Sequence, residues 1–177
     1  MSDNPTDKRG AGSLADYAPL IQAAQGLTLR QICAVSSLES STIQNWIKRG
    51  FVPRPEGKKY RERHLARILL ISQLRESMQI ESIGDLLRYI NGDADDESDD
   101  IIPEESLFDL FSRMTSLLEE EIPPPDGVGD TASEVLRDCP YEGEIRDKIY
   151  SALKIMGCAY MAHIYKRETE KLFGELQ

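Results

Sequence analysis

The chain has 177 residues, of which 29% are charged and 40% hydrophobic, and a formal net charge of −10. That length suffices for one full domain plus a smaller partner, each with its own core. No apolar run approaches bilayer length and Met1 to Gly10 has no signal-peptide pattern, so the chain is expected to be cytoplasmic and without a membrane partner. Three widely spaced cysteines, Cys33, Cys139 and Cys158, suit neither a metal knuckle nor a disulfide framework and are expected to be reduced thiols.

The acidic excess is unevenly distributed. Between Leu27 and Ile90, 11 Lys and Arg face 6 Asp and Glu, a net +5 that leaves −15 for the rest. Within it Lys48, Arg49, Arg54, Lys58, Lys59, Arg61, Arg63 and Arg67 are opposed only by Glu56 and Glu62. Phosphate responds to this local field and not to the overall charge.

In chain order, residues 1–13 are polar and read as a flexible tail. Leu14 to Gln25 suits a helix that buries Leu14, Tyr17, Ala18 and Ile21 and stops at Gly26. Thr28 caps a short helix over Leu29 to Val35, and Ser36 to Leu38 make a tight turn. A second short helix runs from Ser40 or Ser41 to Arg49, with a serine hydroxyl as its cap and Gly50 as its end. Its Ile43, Trp46 and Ile47 fall at i, i+3 and i+4 and face the core, which turns Ser41, Thr42, Gln44, Asn45, Lys48 and Arg49 outward. Such a polar face reaches base edges and phosphate oxygens in a major groove. Phe51 to Tyr60 then forms a compact turn or hairpin carrying Arg54, Lys58 and Lys59, placed to grip the flanking backbone. Helices over about Glu62 to Met78 and Ser82 to Ile90 follow, and Asn91-Gly92 ends the second. His64 is expected on the buried helix as a partly exposed polar residue.

The run Thr28, Leu29, Ile32, then Thr42, Ile43 and Trp46, then Lys48-Arg49-Gly50-Phe51-Val52-Pro53, then Gly57-Lys58-Lys59-Tyr60, leading to Leu65, Ile68, Ile71, Leu74, Ile83, Leu86 and Leu87, resembles the DNA-binding half of the MerR family over residues 27–90. The resemblance implies a winged helix-turn-helix whose second short helix enters the major groove and whose wing holds phosphate. By resemblance Gln44, Asn45, Lys48, Arg49, Lys58, Lys59, Tyr60 and Arg61 take those roles, and Arg54 and Arg63 join them through their charge. The chain departs from the pattern at Met78, where the family commonly has glycine, and the link into the following helix is one residue shorter. Over nearly its whole length it also resembles an uncharacterised bacterial family, mostly from Firmicutes, that joins this kind of module to an unrelated helical C-terminal half. Neither likeness assigns an effector, an operator or a direction of regulation.

The acidic run 93–102 is expected to be a solvated linker between a module at 14–92 and a helical dimerisation or regulatory domain at 103–177. Asp93, Asp95, Glu97, Asp99 and Glu104 nearly match a calcium loop, but Ser98 stands where glycine must bend the chain and Asp100 where an apolar residue pins it. Pro103 starts a helix through about Glu121 with Leu107, Phe108, Phe111, Met114 and Leu118 on one stripe. A short helix near Ala132 to Asp138 and a long one over Tyr141 to Phe173 complete a mainly α chain. The long helix has one stripe through Ile145, Ile149, Leu153, Met156, Tyr160 and Ile164, and a second apolar face around Ile155, Ala159 and Ala162. Two such faces predict a homodimer with Ile155, Met156, Ala159 and Ala162 at its interface.

Only His64 and His163 are available for acid–base work, and no metalloprotease, hydrolase or phosphate-loop motif is present, so neither an enzyme nor a cofactor or metal site is expected. The expected function is a sequence-specific transcriptional regulator of duplex DNA, alone or under an effector. The alternative is a protein–protein adaptor that uses the same scaffold without DNA.

Overall fold

A computed structural model describes residues 14–176; the tail expected at 1–13 lies outside the described residues. The chain is mainly α-helical, in the order α1 (Leu14–Ala23), α2 (Leu29–Ser36), α3 (Ser40–Lys48), α4 (Glu62–Leu74), α5 (Ile80–Asn91), α6 (Glu104–Glu120), α7 (Val128–Val135) and α8 (Gly143–Gly174). No described helix is long and apolar enough to cross a membrane.

Local sequence explains the short N-terminal helices. Thr28 and Gln31 form a reciprocal capping box at the start of α2, with the Thr28 N–H donating to Gln31 Oε1 at 2.8 Å. Ser37 takes a left-handed conformation at φ 56° and turns the chain into α3. The expected serine cap of α3 does not form. Glu39 occupies the cap position without a side-chain bond, because Ser40 is already helical. At the other end, Gly50 at φ 75° lets the Gly50 N–H reach Ile47 O at 3.1 Å and the Phe51 N–H reach Trp46 O at 2.9 Å. This 6→1 and 5→2 pair satisfies the last carbonyls and needs a residue free of Cβ strain.

The four consecutive apolar residues of α4 predict burial on several sides, and every residue from His64 to Ile71 is buried. Around it pack α1, α2, α5, α6 and α8, with α6 the most extensive neighbour. Phe108 and Phe111 of α6 are fully buried, and α7 and α8 close the far side. One apolar cluster thus runs from Leu14 in α1 to Met161 in α8. Each fully buried Leu, Ile or Phe contributes roughly 1.5 to 3 kcal/mol, so the two halves stabilise each other through this common core.

Two expectations need correction here. The first is the wing, which requires strands, and none occurs among the described residues. Gly57 and Lys58, at φ 55° and 64°, form a two-residue turn closed by a single bridge at Glu56–Lys59, and Tyr60 makes a separate single bridge to Leu27. The ladder goes no further because its next hydrogen-bonded pair, Arg54 and Arg61, does not form. The two N–H groups that would form its next rung are engaged elsewhere: Arg54 donates to Asp95 Oδ1 at 2.8 Å and Arg61 to His64 Nδ1 at 3.1 Å. The second is the acidic linker, which is solvated over residues 93 and 95–99 but does not hang free. In place of a free tether, residues 93–102 fold along the module, with Glu97–Asp99 forming a 3-10 turn and Ala94 and Ile102 buried. The Asp93 N–H donates to Asp99 Oδ2 at 3.1 Å and the Asp95 N–H to Asp93 Oδ1 at 2.9 Å. Glu104, the last position of the calcium-like pattern, points into the core instead of toward this loop.

The boundaries of α7 and α1 also shift. α7 starts at Val128, earlier than expected, because Val128 and Ala132 are the residues that reach the core. Pro19 lies within α1, which ends at Ala23.

Candidate nucleic-acid interface

α3 separates its side chains as the periodicity requires. Ile43 is 0% and Trp46 4% exposed, whereas Ser41, Gln44, Asn45, Lys48 and Arg49 are exposed and Thr42 and Ile47 are half-buried. Two amides, a hydroxyl and an ammonium group therefore lie on one accessible side of a short, well-anchored helix. The Trp46 ring is sandwiched between the core and the Arg75 guanidinium, 5.6 Å from its centroid.

The cationic residues around this helix differ in how free they are. Arg49 stacks 4.6 Å over the Phe51 ring and pairs with Glu81 at 2.6 Å. That bond holds the exposed Glu81 carboxyl below its ordinary value. Arg54 lies 3.8 Å from Asp95, and Arg61 pairs with Glu56 across the turn. Among the described residues Lys48 and Lys58 are exposed and pair with no carboxylate.

Three residues expected to touch phosphate have structural engagements. Tyr60 is 4% exposed. Its backbone exchanges two 2.8 Å hydrogen bonds with Leu27, and its ring meets His64 edge-on at 5.8 Å. Burial raises its phenol pKa, and the ring serves the core. Lys59 is half-buried, and its Nζ donates to Ala24 O at 3.1 Å and Gly26 O at 3.2 Å, neutralising the C-terminal end of α1. Arg63 is largely buried, pairs with Glu97 and donates to Ala94 O at 2.9 Å, fastening the acidic segment to α4.

His64 is also more deeply placed than expected, at 3% exposure. Its Nδ1 accepts the Arg61 N–H at the start of α4 and its Nε2 lies 3.4 Å from Arg54 O. Desolvation by burial, together with the Arg63 and Arg61 charges, pushes its pKa down. The spacing of His64 three residues after the cap is the sequence signal for this role.

Arg67 is the residue whose importance charge counting conceals. It is buried at 2% exposure beside Glu104 at 1%, pairs with that carboxylate, and donates from Nε to Phe51 O at 2.7 Å. One guanidinium thereby joins the turn after α3, the α4 helix and the start of α6.

The predicted dimer residues also divide. Met156 is fully buried and Ala159 is 8% exposed, and the Ala159 carbonyl accepts from Ser77 Oγ at 2.7 Å. Both belong to the internal face of α8, because that face spans the positions between its two apolar stripes. Ile155, at 48%, and Ala162 remain exposed.

Residues 23–111 match a family model described as a domain of unknown function, DUF1836. The matched unit crosses the acidic segment and ends at Phe111 in α6, so it takes in the α4–α6 packing and the Arg67–Glu104 pair. The uncharacterised protein YkrK of Bacillus subtilis (strain 168) is 28% identical over 100 residues, which cover 54% of this chain and 43% of YkrK. The alignment thus spans less than half the length of that curated relative. No solved structure matches the chain. By the extent of the family match, the chain belongs to the DUF1836 family.

Proposed function

We propose that the chain is a sequence-specific duplex-DNA-binding transcriptional regulator built on a MerR-like helix-turn-helix, with α3 entering the major groove. Ser41, Thr42, Gln44 and Asn45 contact base edges, where an amide makes paired bonds to adenine. Lys48 and Lys58 contact phosphate, joined by Arg49, Arg54 and Arg61 when these exchange their carboxylate partners for the DNA backbone. The turn over residues 51–60 supplies backbone contacts in place of a stranded wing. The single observation carrying this reading is the outward exposure of Gln44, Asn45 and Lys48 opposite the buried Ile43 and Trp46. Operators read by such modules commonly have two half-sites about one helical turn apart, which suits action as a homodimer.

A second reading, a protein–protein adaptor, is favoured by one specific fact. Arg49, Arg54, Arg61 and Arg63 each face a carboxylate of their own chain, which weakens the field offered to phosphate. Fluorescence anisotropy with random duplex DNA at increasing salt separates the two. DNA binding predicts affinity that falls linearly on a log–log plot. Lys48→Ala and Lys58→Ala each lower the slope by about one and weaken all sequences alike. The adaptor predicts no binding at low salt and no effect of either substitution.

A further inference from the structure

α8 has an apolar face that the other described residues leave open. Ile149, Ala152, Leu153, Met156 and Gly157 are buried against the body. On the opposite side, exposed residues recur at alternating spacings of four and three: Ser151, Ile155, Cys158, Ala162, Tyr165, Thr169 and Leu172, with Leu176 following just past the helix end. This is the a/d repeat of a helix-pairing seam. Ile155 is 48%, Tyr165 50%, Leu172 53% and Leu176 82% exposed. Its two aliphatic hydroxyls suit an apolar contact, because Ser151 Oγ donates to Asp147 O and Thr169 Oγ1 to Tyr165 O, each at 2.8 Å. Neither brings an unsatisfied donor to a dry interface.

From Tyr165 to Leu176 every residue is exposed, so among the described residues about three turns of helix extend beyond the body with no packing of their own. A free helix of that length is marginal in water. It gains stability once its apolar edge is covered.

We propose that this seam binds a second copy of the chain, with the two α8 helices antiparallel, so that each projecting end lies along the partner's body-attached half. The register follows from size and charge. Antiparallel pairing sets Ala162 of one protomer against Tyr165 of its partner, Cys158 against Thr169 and Ile155 against Leu172, so the largest seam residue faces a small one. On one flank it brings Lys154 of one protomer beside Glu175, the αR residue that caps its partner's helix, two exposed residues of opposite charge. A parallel arrangement stacks Tyr165 on Tyr165 and Ala162 on Ala162, alternating a bulge with a gap. It also places Lys154 beside Ala159 and Glu168 beside Phe173, with no ion pair. The contact is isologous and closes at two copies. It stands on α8 alone and is independent of the DNA-binding reading.

The test combines mass and orientation in the full chain. Light scattering is expected to give twice 20.0 kDa across the micromolar range. Ile155→Asp with Leu172→Asp, both at exposed positions, is expected to give the single-chain mass with helical circular dichroism retained. A single-chain mass for the unaltered protein overturns the proposal. So does an undiminished dimer in the doubly substituted variant. Orientation is read from Thr169→Cys under mild oxidation. Residues 158 and 169 of one helix are about 16 Å apart along its axis, so a disulfide joining them is intermolecular. Peptide mapping is expected to find Cys158 joined to the new cysteine of the partner. Like-to-like bridges, 158 to 158 and 169 to 169, overturn the antiparallel register.

Discussion

The buried pair of Arg67 and Glu104 offers a quantitative test of how the two ends of the family unit are joined. Replacing Arg67 by Met leaves the Glu104 carboxylate in the core without its cation, with Glu104 Oε2 already lacking a hydrogen-bond partner. It also removes the donor to Phe51 O. Breaking a buried ion pair from one side costs about 3 to 5 kcal/mol, and an orphaned carbonyl about 1 to 3 kcal/mol more. Because the two losses share one side chain, about 4 to 6 kcal/mol is expected for Arg67→Met, on the order of half the stability of a typical domain. Glu104→Leu leaves the guanidinium one remaining hydrogen bond and is expected to cost about 3 kcal/mol. The double variant Arg67→Met with Glu104→Leu replaces both charges by apolar groups of similar size and retains only the carbonyl penalty, about 1 to 3 kcal/mol. It is therefore expected to be more stable than Arg67→Met alone. Urea unfolding followed by far-ultraviolet circular dichroism, analysed at a common slope, measures all three. Costs under about 1 kcal/mol for each single change, or strict additivity in the double, refute the reasoning.

Other consequences are testable separately. Gly84→Ala is expected to destabilise by about 1 to 3 kcal/mol, even though alanine favours a helix, because the added Cβ would lie 2.6 Å from Cε1 of the buried Phe51 ring; equal or higher stability contradicts that packing. Glu81→Gln and Glu56→Gln release Arg49 and Arg61 from exposed pairs. They are expected to leave thermal stability nearly unchanged while raising affinity for random duplex DNA a few-fold by anisotropy. The Asp100 carboxyl is pushed up to about 6 by partial burial and the nearby Glu104 charge. The folded chain thus binds that proton more tightly than the unfolded one, and stability falls as pH rises from the ordinary carboxylate range through about 6. Asp100→Asn is expected to raise the melting temperature near neutral pH and to leave it unchanged near pH 4. His64, whose pKa is lowered by burial, acts in the opposite sense, contributing stability above about 6.5 that is lost as pH falls below it. His64→Gln, which keeps an acceptor for the Arg61 N–H, is expected to remove that acid-side loss, as read from melting curves across the same range.

The helices were legible where one residue type had one local task. Thr28 with Gln31, Gly50 after Arg49, and the alternation of Ile43 and Trp46 with Gln44 and Asn45 each point to a single geometry, and the chain adopts it. Charge was far less legible, because a basic residue in a sequence carries no indication of its partner. Lys59, Arg63 and Arg67 contribute to the same positive count as Lys48 and Lys58, yet carbonyls and carboxylates from residues about 30 to 40 positions away engage them. For the same reason the acidic run, with few apolar residues of its own, resembles a free linker until Arg54 and Arg63 are found to hold it. The missing wing strands follow from the diverted N–H groups of Arg54 and Arg61, which no hydrophobic pattern reveals. In α8 the two apolar stripes lie close enough in number that Met156 and Ala159 could be assigned to either. Only the packing of α4 to α7 decides which side is internal.

Selection of bound fragments from sheared bacterial genomic DNA, performed in parallel with the unaltered chain and with Gln44→Ala/Asn45→Ala, tests the central claim most directly. The account predicts a recurrent enriched motif for the unaltered chain, and loss or change of that motif with overall affinity largely retained in the variant. Recovery of fragments no different from the input at low salt, or an identical motif from both proteins, would contradict it.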